Sequence, residues 1–166
     1  MNAAHIHLML NHLPLAGSLT ALLLLGAARG RPGENRDLEK AGLIALVVGA
    51  LLAIPTYLTG EGAEDVVRRL PGVAKTLVEP HEEAAIAALV AIELGGLVAL
   101  VALALARTRP GQSRQLTSAA LALSAISLAT MGWVANLGGQ IHHAELRSET
   151  ASEDGDVQPS PSEARP

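Results

Sequence analysis

The chain has 166 residues, of which 49% are hydrophobic and 17% are charged, and its formal net charge at pH 7 is -4. It contains no cysteine, which excludes disulfides, thiolate metal ligands, iron-sulfur clusters and covalent attachment of c-type haem. The sequence has no basic patch with interleaved aromatic residues, so we expect no nucleic-acid partner.

Long apolar runs decide the class of protein. Four segments, 6-29, 38-58, 82-106 and 116-137, each approach or exceed the roughly 20 residues that a helix needs to cross a bilayer. Leu, Ala, Val and Gly recur in them without the alternation typical of strands. The sequence therefore predicts an all-α integral membrane four-helix bundle over residues 1-147, in contact with the lipid bilayer. The acidic stretch 148-166, rich in Pro and Ser, predicts a disordered tail.

The first span opens with HIHLMLNHLP, residues 5-14, which places histidines and a proline where an apolar helix begins. Pro14 cannot donate a hydrogen bond to the carbonyl of Leu10, which predicts a kinked or irregular start. Irregular backbone is tolerated at membrane depth only where it is buried in protein or lines a cavity. We therefore expect this end of the span to face the bundle.

The loop after the second span carries acidic residues followed by Arg68 and Arg69, and it is closed by Pro71 and Gly72. This order of charges matches the dipole of a short helix. The pattern predicts a short helix at the membrane surface between the second and third spans.

The third span starts at a polar segment that includes His81 and Glu82, and it carries Glu93 near its middle. An intramembrane carboxylate is costly and indicates a functional site. Glu93 and Glu82 are eleven residues apart, which puts them on one helix face, and we expect that face to point inward. If Glu93 is functional, we expect it to relay protons or cations. If its role is structural, we expect a protonated side chain that is hydrogen-bonded to a hydroxyl of a neighbouring helix.

Positive charge predicts the orientation, because basic residues near short loops mark the cytoplasmic side. The loops after the first and third spans are the more basic, and the long loop between the second and third spans is less so. Both termini and the long loop are therefore predicted on the non-cytoplasmic side. For a bacterial inner (cytoplasmic) membrane this is the periplasm. The basic residues of the short loops are Arg29, Arg31, Arg36, Lys40, Arg107, Arg109 and Arg114.

With this topology every histidine lies at the outer end of the bundle. Imidazole is the commonest metal ligand and also binds haem iron. We predict that these histidines hold a b-type haem, with His12 as first ligand, His81 or His143 as second, and His7 and the nearby carboxylates beside the ligands or at a solvent-exposed metal. Zinc, copper or iron is the alternative, with Glu82 added to the same histidines as ligands. The competing interpretation is that these are solvated histidines at the membrane interface.

Several motifs resemble a group of uncharacterised four-span bacterial inner-membrane proteins, a family of unknown function. They are His-x4-His-x-Pro in the first span, YLTGEGAEDVVRRLPG at 57-72, His-Glu-Glu at 81-83 and VANLGGQIHHAELR at 134-147. The resemblance implies a link to c-type cytochromes and respiratory electron transfer. Its motif positions are His7, His12, His81 and His143.

Three functions follow from these features. The first is an electron-transfer or redox-associated membrane subunit with a haem or metal at the outer histidines, associated with a c-type cytochrome or respiratory complex. The second is a proton- or cation-conducting protein that uses Glu93 and needs a homo-oligomer. The third is a structural subunit of a larger membrane complex without a cofactor. The sequence contains no HExxH and no nucleophile-elbow motif, so we expect no independent catalytic activity.

Overall fold

In a computed structural model of the chain, residues 2-30, 35-69 and 75-143 are described, and within these ranges all regular structure is helical. The helices are α1 (Ala3–Leu10), α2 (His12–Arg29), α3 (Arg36–Val67), α4 (Lys75–Leu105) and α5 (Pro110–His142). The predicted disordered tail, 148-166, lies outside the described residues.

Four helical segments are long and apolar enough to cross a membrane, which confirms the predicted number of spans. They are Ala3–Arg29, Arg36–Val66, Thr76–Leu105 and Pro110–Ile141, with 27, 31, 30 and 32 residues. Each is longer than the apolar run that predicted it. The difference arises because polar residues at the membrane surface continue the helix, and hydropathy reports only the part in lipid.

The four spans form a bundle in which each helix packs on its neighbour in the chain. The main contacts join α2 to α3, α3 to α4, α4 to α5 and α5 to α2, and α1 packs on α3. This closed order is that of an up-down-up-down four-helix bundle, in which α2 and α4 are diagonally opposite. The buried core consists of alanines and a few branched residues, among them Leu25, Leu46 and Ile92.

One face of the first span points into the bundle along its whole length. Its members recur at steps of three and four residues, which is the spacing of one helix face. His12 is one position off this face and is exposed. The inward members, all buried or half-buried, are His7, Asn11, Pro14, Ser18, Ala21, Leu25 and Ala28.

The first span is interrupted between α1 and α2, near the position where Pro14 predicts an irregular start. α1 ends at Leu10 and α2 begins at His12. Pro14 leaves the Leu10 carbonyl without its helical donor. The hydroxyl of Thr56 on α3 lies 3.4 Å from that carbonyl oxygen, but its shorter hydrogen bond, of 2.7 Å, goes to the carbonyl of Leu52 on its own helix. α3 therefore contacts the interruption through a polar group without fully replacing the lost helical bond.

The loop predicted to form a separate surface helix instead continues α3 as far as Val67. Pro55 lies inside α3 without ending it, and Gly60 and Gly62 follow within the same helix. Glycine lowers helix propensity by about 1 kcal/mol but removes no hydrogen bond, so it does not by itself end a helix. Residues 70-74, which complete the predicted surface helix, lie outside the described residues.

Candidate functional site

His7 is held on α1 by contacts to α3. Its Nδ1 lies 2.9 Å from the carbonyl oxygen of Thr56. A side chain at Gly60, one helical turn later, would meet the ring, because a Cβ built there lies 3.2 Å from Cε1 of His7. The half-buried imidazole therefore occupies a seat made of one carbonyl and one glycine of α3.

His81 is held on α4 in the same way by α5. Its Nδ1 lies 3.0 Å from the carbonyl oxygen of Val134. A Cβ built at Gly138 would lie 3.1 Å from Cε1 of His81. This half-buried ring also rests on a glycine one turn after the residue whose carbonyl it contacts.

The two seats repeat one arrangement in the two halves of the chain. In each, a histidine near the start of a span contacts the span that follows it in the chain, at a carbonyl and at the glycine four residues later. The separation of the histidine from its carbonyl is 49 residues for His7 and 53 for His81. The repetition places two equivalently held imidazoles at one end of the bundle.

These contacts fix which ring nitrogen carries the proton. A backbone carbonyl only accepts, so Nδ1 must be the donor in each ring. In the neutral imidazole the lone pair is then on Nε2. Histidines that bind metals commonly donate their other ring N–H to a carbonyl or carboxylate in this manner. In a neutral ring this arrangement leaves Nε2 as the nitrogen that can bind a metal or haem iron.

His7 and His81 lie at the same end of the bundle. α1 continues into α2, which is diagonal to α4 in the bundle, so His7 and His81 lie on opposite corners of that end.

The other predicted histidines are placed differently. His12 is exposed on the outer surface of α2. Five residues separate it from His7, which rotates it by about 140° around the helix. His143 follows the end of α5, and it is also exposed. The structure therefore does not bring the first-choice ligand, His12, to the side of His81.

Among the described residues, no group of three or more His, Asp and Glu side chains lies close enough to hold a metal ion. The predicted metal set of His7, His12, His81, Glu82 and His143 is thus not assembled as one cluster. Glu82 instead lies 3.7 Å from the guanidinium of Arg68, which also contacts Glu64. This ion pair joins the end of α3 to the start of α4.

Asn11 is a residue at the histidine end that the sequence analysis did not select. It lies one turn after His7 on the inward face of the first span. Its side-chain oxygen Oδ1 is buried and has no hydrogen-bond partner within the described chain. A buried unpaired amide oxygen is costly, and it supports a polar function for this end of the bundle. The signal in the sequence was the spacing of four residues from His7.

Glu93 lies away from the histidine end, in the groove between α3 and α4. It is half-buried and lines a cavity of about 180 Å³ together with Ala50, Gly96 and Leu97. Its Oε1 atom is buried and has no hydrogen-bond partner among the residues that the structure describes. Leu97 and other leucines of this groove are exposed, so the cavity opens at the outer surface of the bundle.

These features define the protein as a multi-pass helical membrane protein with a pair of equivalently held histidines at one end. Comparison with protein-family models, with curated proteins and with solved structures finds no match for this chain. The resemblance to a four-span bacterial family therefore stays a prediction.

Proposed function

We propose that the protein is an electron-transfer subunit of a bacterial inner membrane that binds a b-type haem through His7 and His81. The observation that carries this proposal is the pair of matching seats, in which each imidazole donates Nδ1–H to a carbonyl and keeps Nε2 for a ligand. Bis-histidine ligation of haem requires two such nitrogens from different helices.

The residues around the pair contribute positioning. Gly60 and Gly138 allow the rings to lie directly against the backbones of α3 and α5. The carbonyl bonds prevent the rings from rotating about their own axes and raise the basicity of Nε2. A haem bound there would supply reversible one-electron chemistry, and the seats would hold its axial ligands rigidly.

The proposed topology places this site on the periplasmic side, as expected from the positive-inside rule. The basic residues Arg29, Arg36 and Arg114 lie at the opposite end of the bundle. In this orientation a periplasmic partner such as a c-type cytochrome could exchange electrons with the histidine end. A respiratory complex is the other partner that this position suits.

The experiment is a reduced-minus-oxidised absorption spectrum and an iron analysis of the protein purified from membranes. We expect a Soret shift and a sharp α band with about one haem per chain. His7→Ala and His81→Ala should each abolish the low-spin spectrum, because one axial ligand is lost. His12→Ala is the matched control and should leave haem content and spectrum unchanged.

The pattern of results separates this assignment from the alternatives. Loss of the spectrum in His12→Ala but not in His7→Ala would reverse the choice of ligand. Purified protein without haem would refute the proposal. A His81→Gly variant that regains the low-spin spectrum on addition of free imidazole would show that the residue acts as a ligand and not only in folding.

A second function is favoured by the Oε1 atom of Glu93, which is buried and has no hydrogen-bond partner in the described part of the chain. In this proposal Glu93 relays protons or cations within a homo-oligomer whose interface closes the α3–α4 groove. Glu93→Gln should then abolish ion flux in proteoliposomes and leave the helical fold intact. Unchanged flux in the variant would exclude this function.

A further inference from the structure

The end of the bundle opposite the histidines contains a second polar cavity. It has a volume of about 460 Å³ and lies where α2 ends and where α3 and α5 begin. Its polar lining comes from Arg29, Glu39, Arg114, Thr117 and Ser118. The remaining lining is apolar and consists of Leu25, Ala28 and Leu121.

The arginines give this cavity an excess of positive charge. The cavity is lined by two arginines, Arg29 and Arg114, and by one acidic residue, Glu39. The Glu39 carboxylate accepts a hydrogen bond of 3.0 Å from the hydroxyl of Thr117. Within the described chain it forms no ion pair with either arginine. The positive charge of the cavity is therefore not neutralised by its own acidic residue.

The donors of the cavity are arranged around a common space. Arg29 donates to the hydroxyl of Ser118, which fixes one guanidinium against α5. The guanidinium of Arg114 has no hydrogen-bond partner among the described residues, so its donors are available to a ligand. Two guanidinium groups on one cavity are a set of donors that suits the oxygens of a phosphate group.

The apolar wall indicates that the phosphate belongs to a lipid. Leu121, on the membrane-spanning part of α5, is half-buried and gives the cavity accessible apolar surface just inside the arginines, whereas Leu25 behind it belongs to the core. A free phosphate ion would gain nothing from this wall, whereas the first carbons of an acyl chain would be covered by it. Basic pockets between transmembrane helices on the cytoplasmic side are typical sites for anionic lipid headgroups.

We propose that this cavity binds the phosphate headgroup of one anionic phospholipid, with Arg29 and Arg114 as its ligands. The inference does not depend on the histidine site, which lies at the other end of the bundle. It assigns the cytoplasmic end of the protein a lipid-recognition function.

The experiment is native mass spectrometry of the detergent-purified protein with phosphatidylglycerol or phosphatidylcholine of identical acyl chains. Measurements at high salt suppress attraction to exposed charges, because the Debye length falls to about 3 Å at 1 M. We expect one retained phosphatidylglycerol per chain and much weaker retention of phosphatidylcholine. Each arginine should contribute a factor of about five, so Arg29→Gln/Arg114→Gln should bind about 25-fold more weakly.

The matched control is Arg36→Gln/Arg107→Gln. These two arginines lie at the same end of the bundle, are exposed, and do not line the cavity. The control removes the same charge and should retain the lipid. Arg114→Glu serves as a second test if the double variant does not fold, because it breaks no side-chain hydrogen bond within the described chain. It should abolish the preference for phosphatidylglycerol.

Three results would overturn the proposal. The first is equal retention of the two lipids by the natural sequence. The second is equal loss of lipid from the cavity variant and from the control variant. The third is displacement of the bound lipid by inorganic phosphate alone, which would identify the cavity as a site for the free anion.

Discussion

Replacing Gly17 with alanine should separate α2 from α3. The two backbones meet at Gly17 and Gly49, and a Cβ built at Gly17 would lie 2.8 Å from Cα of Gly49. It would also lie 3.2 Å from the carbonyl oxygen of Ala45. Carbon atoms prefer separations of about 3.5 to 4.0 Å, so the helices must move apart by about 1 Å at this point. Both obstacles are backbone atoms, which cannot move aside as a side chain could.

The change in stability combines one favourable contribution with two unfavourable ones. Alanine in place of glycine stabilises a helix by roughly 0.5 to 1 kcal/mol. Overpacking of a tight interface costs about 1 to 3 kcal/mol. A gap of 0.5 to 1 Å also removes about a quarter to a half of the dispersion energy of each affected atom pair. We therefore expect Gly17→Ala to lower the free energy of unfolding by about 1 to 2 kcal/mol.

Gly26 provides a matched control on the same helix. A Cβ built at Gly26 has no atom within 4 Å, so Gly26→Ala keeps the gain in helix propensity without the clash. The assay is unfolding in mixed micelles by titration with sodium dodecyl sulfate, followed by circular dichroism. The expected order of stability is Gly26→Ala, then the natural sequence, then Gly17→Ala. A Gly17→Ala variant as stable as the natural sequence would refute the close approach of α2 and α3.

Two further pairs of variants lie on α5; haem binding is measured for the first pair and unfolding for the second. Gly138→Ala should place a methyl group against the His81 ring, whereas Gly132→Ala places one in open space. Only the Gly138→Ala variant should weaken haem binding. Equal binding in both variants would contradict the contact between Gly138 and the ring. Ser113→Ala should cost about 1 kcal/mol, because this buried hydroxyl donates a 2.8 Å bond to a carbonyl at the end of α4. Ser127→Ala should leave the free energy of unfolding unchanged or raise it, because the buried hydroxyl has no partner among the described residues. A larger loss of stability in Ser127→Ala than in Ser113→Ala would contradict this difference.

The number of spans was predictable because hydropathy and length depend only on local composition. The ends of the spans were less predictable. α4 begins at Lys75 and contains Pro80, although the apolar run starts at residue 82. α3 likewise continues through Gly60 and Gly62 to Val67. In both places the helix is extended by polar residues at the membrane surface, where hydropathy gives no signal for helix.

The choice of His12 as first ligand rested on its depth in the membrane and on its proximity to Pro14. The helix face is the stronger criterion, and it was present in the sequence. Pro14 and Ser18 are spaced from His7 by seven and eleven residues, which defines an inward face that excludes His12. The carbonyl partners of the rings could not be predicted, because they depend on how α3 and α5 align with distant parts of the chain.

The histidine seats are the reason for proposing that these residues are ligands and not only interfacial residues. A histidine that only faces water needs no particular neighbour, and any residue could lie beside it. Here two different helices each present a glycine to an imidazole ring, at Gly60 and Gly138. Glycine inside a helix is less stable than alanine by roughly 0.5 to 1 kcal/mol, so each seat has an energetic cost to the fold. The same arrangement in both halves of the bundle would suit the proposed pair of axial ligands, because both rings would be held against rotation while each kept one nitrogen available.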